Sequence, residues 1–185
     1  MKTNLILISE SNNNLVFDKP GTYVVYFSNI SGTISCTIKS EKVELYMIGL
    51  YDMHDQVTFK IHTEQIHISP NSFSELLVIS LARDASSLSF SGLIRIEKYA
   101  QHSHAYQKNK NLILSKNAFV DSRPILEILA NDVFCTHGST SGPLSKEQLQ
   151  YLQMKGLNLK EATNLSIVGF KQQVYDRLSN LGIKI

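Results

Sequence analysis

Apolar and polar residues alternate from about Leu15 to about Ile96, and a period of two is typical of β-strands. Strand centres recur roughly every ten residues and are separated by turn-forming pairs such as Pro20-Gly21 and Ser91-Gly92. The alternating sets that share a face are Tyr23, Val25 and Phe27; Val43, Leu45 and Met47; Val57, Phe59 and Ile61; Leu77 and Ile79; Leu88 and Phe90; and Ile94 and Ile96. This spacing fits either a β-sandwich or the coils of a parallel β-helix, and periodicity alone does not separate them.

The last forty residues follow a helical period instead. Ser145 with Gln148 forms the sequence signature of a capping box, and Asn158 opens a second amphipathic segment. Leu149 and Leu152 are expected to face inward. The apolar stripe of the second segment consists of Ile167, Phe170, Val174, Leu178 and Leu181. Gly156 and Gly182 follow the two segments as stop signals, so we predict helices near residues 145–155 and 159–180.

Composition excludes several classes of protein. The 185 residues carry a net charge of only +2, too little for charge-driven binding to nucleic acid. The longest uncharged stretch, Pro20 to Ile38, alternates and is rich in polar residues, so no membrane span is expected. The apolar run Leu5 to Ile8 is too short for a signal peptide, and Cys36 and Cys135 form no disulfide framework or C-x-x-C motif. We therefore expect a cytoplasmic protein that binds neither nucleic acid nor a membrane.

One segment, Asn131 to Gly138, combines residues that bind metals. If it is an extended strand, Cys135 and His137 project to the same side, and both are ligands suited to iron or zinc. Two other interpretations remain open at this point. Cys135 is the kind of small residue that is often simply buried, and a Cys–His nucleophilic pair would need an orienting group that the sequence does not identify.

The remaining histidines are weaker candidates. His62 and His67 flank a turn-like segment and are expected to be exposed polar positions, while His54 is expected at the surface. His102 and His104 would share one strand face at a spacing that can chelate a metal, but no carboxylate nearby in sequence would orient either ring.

Sequence motifs of common enzymes are missing. The glycine-rich stretch Gly138–Gly142 lacks the lysine of a phosphate-binding loop, and neither G-x-G-x-x-G after a strand nor G-x-S-x-G occurs. We therefore predict that the protein is not an enzyme.

A series of short segments from residue 67 onward has a recognisable order. The segments are His67–Ser72, Phe90–Ile96, Ala100–Asn111, Leu112–Ser115, Pro124–Ile128, Asn131–Gly138, Glu147–Gly156 and Gly169-Phe170. Together they resemble the SufB/SufD scaffold family of iron–sulfur cluster assembly, in its SufD-type branch. An ordered series of motifs is far more specific than any one of them.

The resemblance implies a mainly β fold: a right-handed parallel β-helix core over residues 1–142, followed by a small helical region over 143–185. It therefore favours the β-helix over the sandwich. Compared with the family, the chain is short at its N-terminal end, so we expect Leu5 to Ile8 to cover the first coil.

The resemblance also implies a function in the SUF system. His137 is the first choice, and Cys135 the second, for contacting iron or a transient iron–sulfur cluster, with reduced flavin as a further candidate cofactor. The implied heteromer contains a SufB-like subunit and a SufC-like ATPase that docks on the C-terminal helices, with Leu165, Val168 and Phe170 as candidate contacts. The alternatives are a purely structural subunit of that complex and an unrelated β-helix binding protein.

Overall fold

The computed structural model describes residues 3–184, which form eleven β-strands followed by two α-helices. The elements are β1 Thr3–Ile8, β2 Asn13–Phe17, β3 Gly21–Ser28, β4 Gly32–Ile38, β5 Val43–Met53, β6 Thr58–His67, β7 Phe73–Ala82, β8 Ser87–Ile96, β9 His104–Ile113, β10 Phe119–Ile128, β11 Phe134–Gly142, α1 Lys146–Met154 and α2 Leu159–Asn180. The predicted order of a β body followed by two helices is confirmed.

The strands form two sheets in which every pairing is parallel. The odd-numbered strands lie in the order β1-β3-β5-β7-β9-β11 and the even-numbered strands in the order β10-β8-β6-β4-β2. The chain therefore alternates between the sheets, and each coil adds one strand to each of them. This arrangement is a parallel β-helix, because a sandwich of short strands would be built from antiparallel hairpins.

The coils lengthen along the chain. Thr3 pairs with Thr22, only 19 positions along, whereas Phe73 pairs with His104, 31 positions along. The spacing of about ten residues between strand centres therefore holds only for the first four strands. From β5 to β10 each strand has 10 or 11 residues, so the strand centres lie farther apart.

The main core fills the space between the two sheets. Most of the predicted same-face sets supply it, among them Val25 and Phe27 of β3 and Val43, Leu45 and Met47 of β5, all of which are fully buried. The set of Leu77 and Ile79 lies on the outer face of its sheet instead. Period-two alternation thus identified which residues share a face.

A second core lies on the outer face of the odd-numbered sheet, where α2 covers it. Ile48 of β5 and Ile79 of β7 pack there with Val174 and Leu178, and Ile167 and Phe170 pack against the same cluster at partial burial. The predicted α2 stripe is therefore confirmed. β5 and β7 are apolar on both faces because one face meets the interior and the other meets this helix.

Charged side chains fix the position of α2. Lys171 Nζ lies 2.6 Å from Asp52 Oδ2, and Arg177 pairs with Glu75 while its guanidinium stacks over Tyr46 at 4.8 Å. Burial by itself would raise the pKa of Asp52, but hydrogen bonds from Lys171 and Arg83 hold that pKa below its ordinary value. The helix is thus held by charge as well as by apolar contact.

Helix starts follow the predicted capping residues. Asn158 and Glu161 form a complete capping box at α2. At α1 only half of the expected box forms: Ser145 Oγ accepts from Gln148 N at 3.2 Å, and it donates to Glu147. Leu149 and Leu152 are partly covered, as predicted, but none of the residues of α1 is fully buried. No helix within residues 3–184 is long and apolar enough to cross a membrane.

Turns between coils are held by side-chain oxygens of Asn and Asp. Asn29, Asp55 and Asp84 all have positive φ, a conformation that these two residue types tolerate better than most. Asn29 Oδ1 accepts from the backbone N–H of Asp52 at 3.1 Å, and Asp84 Oδ2 accepts from that of Asp55 at 2.9 Å. Each such bond joins one coil to the next.

Leu5 to Ile8, which we expected to cover the first coil, instead form part of β1. This strand pairs with β3 along one edge, so the run extends the odd-numbered sheet. Ile8 faces the core, whereas Leu7 is exposed.

His67 occupies the interior at the end of β6, and the expectation that it would be exposed was wrong. Its Nδ1 lies 2.7 Å from Ser72 Oγ and its Nε2 lies 2.7 Å from Ser74 Oγ. Burial lowers the pKa of His67 to about 4, because desolvation penalises the charged ring. The two hydroxyls satisfy both ring nitrogens of the neutral form.

Acid should therefore destabilise the fold through His67. The unfolded chain binds a proton near pH 6.5 and the folded chain only near pH 4, so stability falls as pH drops through this window. We expect a loss of about 2 kcal/mol between pH 7 and pH 5, measured by urea unfolding. His67→Gln should flatten this dependence. An unchanged slope in His67→Gln would contradict the assignment.

Candidate metal-contacting site

The segment with Cys135 and His137 forms β11, the last strand of the odd-numbered sheet. In register, Cys135 pairs with Ala105 and His137 with Gln107 of β9. Both partners are buried on the inner face. Since side chains in register on neighbouring strands point to the same face, Cys135 and His137 face the space between the sheets. The predicted strand and shared side are confirmed.

Two hydrogen bonds further along β11 support this orientation. Ser139 Oγ donates to Ser122 Oγ of β10 at 3.0 Å, which joins the last strands of the two sheets across the interior. Ser141 Oγ accepts from Asn111 Nδ2, also at 3.0 Å. The alternate residues of β11 from Cys135 onward thus form one inward row.

Cys135 is the more enclosed of the two candidate ligands. Its side chain packs against a small cluster that includes Ile94, Ile96 and Ala105. Burial raises the pKa of its thiol to about 11, so the side chain is a neutral thiol at ordinary pH. Because metals bind the thiolate, this environment keeps Cys135 second to His137 as a ligand.

His137 is exposed and lies beside a groove of about 480 Å³ on the odd-numbered sheet. Phe73, Tyr106, Lys108 and Thr136 also line this groove. Phe73 and Tyr106 continue an aromatic row from Tyr46, with ring centroids 5.4 and 5.7 Å apart. The groove lies on the outer face of the sheet, whereas the His137 side chain faces the inner side. His137 is exposed on the last strand of its sheet, so a second molecule can reach the ring from the open side of that coil.

The coil that carries the site is open on its outer side. β10 ends the even-numbered sheet and β11 ends the odd-numbered sheet, so within residues 3–184 each has a strand on one edge only. Large apolar side chains are exposed around this end, namely Phe119, Ile125, Leu129 and Phe134. Unpaired strand edges beside exposed apolar side chains form a surface suited to pairing with another chain.

Two other predicted histidine arrangements were wrong. His62 and His67 do not flank a turn, because both belong to β6. His102 and His104 do not share a strand face, since His102 sits in a turn with φ 57° and β9 begins at His104.

His102 does have a carboxylate partner, from the next coil. Its Nδ1 lies 3.0 Å from Asp132 Oδ2. The His104 ring stacks on Phe134 at 5.2 Å. Residues one coil apart in sequence are neighbours here, so a search for nearby carboxylates along the chain could not find Asp132. Among the described residues, no group of three or more His, Cys, Asp or Glu side chains is arranged to hold a metal ion.

The three predicted partner contacts lie on α2 but differ in exposure. Leu165 is 51% exposed and Val168 is 59% exposed, whereas Phe170 is partly buried against the β-helix. Two further exposed apolar residues, Tyr151 and Met154, lie on α1 and were not singled out by the sequence analysis.

Sequence comparison assigns the chain to a family. Residues 27–170, more than three quarters of the chain, match the family model described as SUF system FeS cluster assembly, SufBD core domain. The chain belongs to the SufBD core family. The resemblance inferred from the ordered segments is thereby confirmed, and an unrelated β-helix protein is excluded.

Two of three individual relatives are named as iron–sulfur cluster assembly proteins. The chain is 35% identical to the iron-sulfur cluster assembly protein SufD of Escherichia coli strain K12 over 105 residues, 57% of this chain and 25% of the relative. It is 32% identical to SufD of Bacillus subtilis strain 168 over 155 residues, 80% of this chain and 36% of the relative. Protein ABCI7, chloroplastic, of Arabidopsis thaliana is 30% identical over 131 residues, 70% of this chain and 28% of the relative. The chain thus spans between a quarter and just over a third of these relatives.

The environment of Cys135 predicts a slow reaction with alkylating agents. A thiol with a pKa of about 11 has far less thiolate at pH 8 than an unfolded cysteine, so iodoacetamide should modify it roughly a hundred times more slowly. Mass spectrometry after timed quenching would measure the rate at pH 8 and pH 10, where a clear rise is expected. Cys36, which is fully buried, is the internal control and should react only after unfolding. Equal rates for folded and unfolded Cys135 would contradict the prediction.

Proposed function

We propose that the chain is a SufD-like subunit of the SUF iron–sulfur cluster assembly complex and that His137 helps to build a nascent cluster at an interface with a SufB-like subunit. The observation that carries the proposal is the position of His137: an exposed imidazole on the last strand of a β-helix whose strand edges are open. The family description and the names of the relatives support the assignment to iron–sulfur cluster assembly.

The number of protein ligands favours a second subunit. An iron–sulfur cluster is usually held by four protein ligands, whereas Cys135 and His137 supply at most two. In this proposal the remaining protein donors come from another chain. A site completed across an interface explains why the histidine lies at the open coil, where a partner can reach it.

The role that follows is scaffolding, with the cluster as cargo, and the chain itself is not an enzyme. Ligands from two subunits meet, hold iron and sulfide, and release the cluster when the subunits are moved apart. In this proposal a SufC-like ATPase supplies that movement. Reduced flavin is left out, since the family description and the relatives give it no support.

The helical region offers a docking surface for the ATPase. α2 buries Val174 and Leu178 on one side and exposes Leu165 and Val168 on the other. The exposed side continues past a groove of about 730 Å³ to Leu152 of α1. A helix that is apolar on two sides can pack on its own β-helix and still bind a partner.

Replacement of His137 tests the cluster role. In co-expression with a SufB-like and a SufC-like subunit, His137→Ala should purify as an intact complex but lose its bound cluster, because the imidazole donor is gone. Visible absorbance and iron and sulfide analysis would measure the loss. Cys135→Ala should cost less, since thiolates of the partner can supply sulfur ligands.

His54→Ala is the matched control, because His54 is exposed in a turn far along the chain from β11. It should retain the cluster content of the wild type. If His137→Ala also kept that content, the chain would be a structural subunit without a cluster ligand. If the complex failed to assemble with His137→Ala, the role of His137 would be structural.

Val168→Asp tests the docking surface. A charge placed on the exposed apolar side of α2 should weaken capture of the SufC-like subunit at least tenfold, as measured by pull-down and titration, without lowering the melting temperature. Val16→Asp is the matched control, since Val16 of β2 is 55% exposed, close to the 59% of Val168. Unchanged capture by Val168→Asp would remove this side of α2 from the interface.

A further inference from the structure

The interior of the β-helix changes character toward its last coil. In the first coils the inward side chains are apolar, whereas Gln65 of β6 and Gln107 and Asn109 of β9 are buried between the sheets. Among the described residues, Gln107 Oε1, Asn109 Nδ2 and both amide atoms of Gln65 have no hydrogen-bond partner. An unpartnered buried polar atom is costly, so each of these atoms calls for an explanation.

Gln107 is the one of these residues that lies beside the candidate iron contact. It pairs in register with His137, and the two side chains share the inner face of adjacent strands. Neighbouring strands lie about 4.8 Å apart, so the two side chains begin within reach of each other.

Gly92 shows where the Gln107 amide lies. A Cβ at position 92 would fall 2.5 Å from Gln107 Oε1 and 2.6 Å from its Nε2, so the amide extends across the interior to β8 and uses the space that a glycine leaves. Gly92 pairs in register with Pro124 of β10, just as Gln107 pairs with His137. The amide and the imidazole therefore occupy successive coils in one layer of the interior.

We infer that Gln107 is a positioning residue for His137: when His137 binds a metal through one ring nitrogen, the ring turns so that the N–H of the other is donated to Gln107 Oε1, which has no partner in the unbound protein. Histidines that bind metals usually donate their second ring N–H to such an acceptor, and the bond fixes both the tautomer and the ring orientation. The inference rests on the proposed role of His137 in contacting iron. It explains both why Gln107 Oε1 has no partner in the unbound protein and why position 92 is a glycine, which leaves room for the Gln107 amide.

Gln107→Leu removes the acceptor, and Gln65→Leu is the matched control. Gln65 is also a fully buried glutamine without amide partners, but it lies on β6 and pairs with Cys36 and Ile94. In the Zn²⁺-bound protein, the ring ¹⁵N shifts of His137 report which ring nitrogen binds the metal and which keeps its proton. One tautomer should dominate in the wild type and in Gln65→Leu, and a mixture should replace it in Gln107→Leu. In a Zn²⁺ titration followed at the same ring signals, Gln107→Leu should bind about tenfold more weakly.

Gly92→Ala provides a second route to the same result, should Gln107→Leu fail to fold. Its methyl group would displace the amide, so the same loss of tautomer preference is expected. The inference would be overturned if the wild-type protein showed a mixture of His137 tautomers or if Gln107→Leu kept a single tautomer. It would also be overturned if Gln65→Leu changed the tautomer of His137 as much as Gln107→Leu does. The proposed function fails separately: it is contradicted if His137→Ala retains the cluster of the wild-type complex, whatever the tautomer shows.

Discussion

Parallel pairing between successive coils is the constraint on which the whole molecule depends. Each strand bonds to the strand two elements away in sequence, so residues about 20 to 30 positions apart become neighbours on one face. The Asn and Asp turns reinforce this register, because their side-chain oxygens accept from the backbone of the adjoining coil. Once the register is set, the composition of each layer of the interior follows from it.

The interior layers show how the fold and the site are connected. Apolar layers of Val, Leu, Met and Phe stabilise the early coils, while polar layers with His67, Gln65 and Gln107 occupy the later ones. Burying polar groups lowers stability unless they are paired, and His67 is paired with two serines. Gln107 lies on β9, next to the open coil that carries His137, whereas Gln65 and His67 of β6 are separated from that coil by the apolar strand β8. A chain selected for stability alone would be expected to place an apolar residue at Gln107.

Two surfaces of the described chain expose apolar side chains. The open strand edges of β10 and β11 are surrounded by exposed apolar side chains, and the outer side of α2 exposes Leu165 and Val168. These surfaces lie in different elements, so one partner can meet the last coil while another binds the helices. The proposed role, in which subunits meet around a cluster and later separate, would use two such independent contacts.

The sequence by itself determined the elements: strands from the period-two alternation, helices from Ser145 and Asn158 as caps, and the common side of Cys135 and His137. These features depend on residues close together in the chain. The tertiary structure alone decided the burial of His67, the pairing of His102 with Asp132 and the position of Gln107 beside His137. Each of these features depends on contacts between residues in different strands or coils. Local periodicity does not indicate which distant residues the coils bring together.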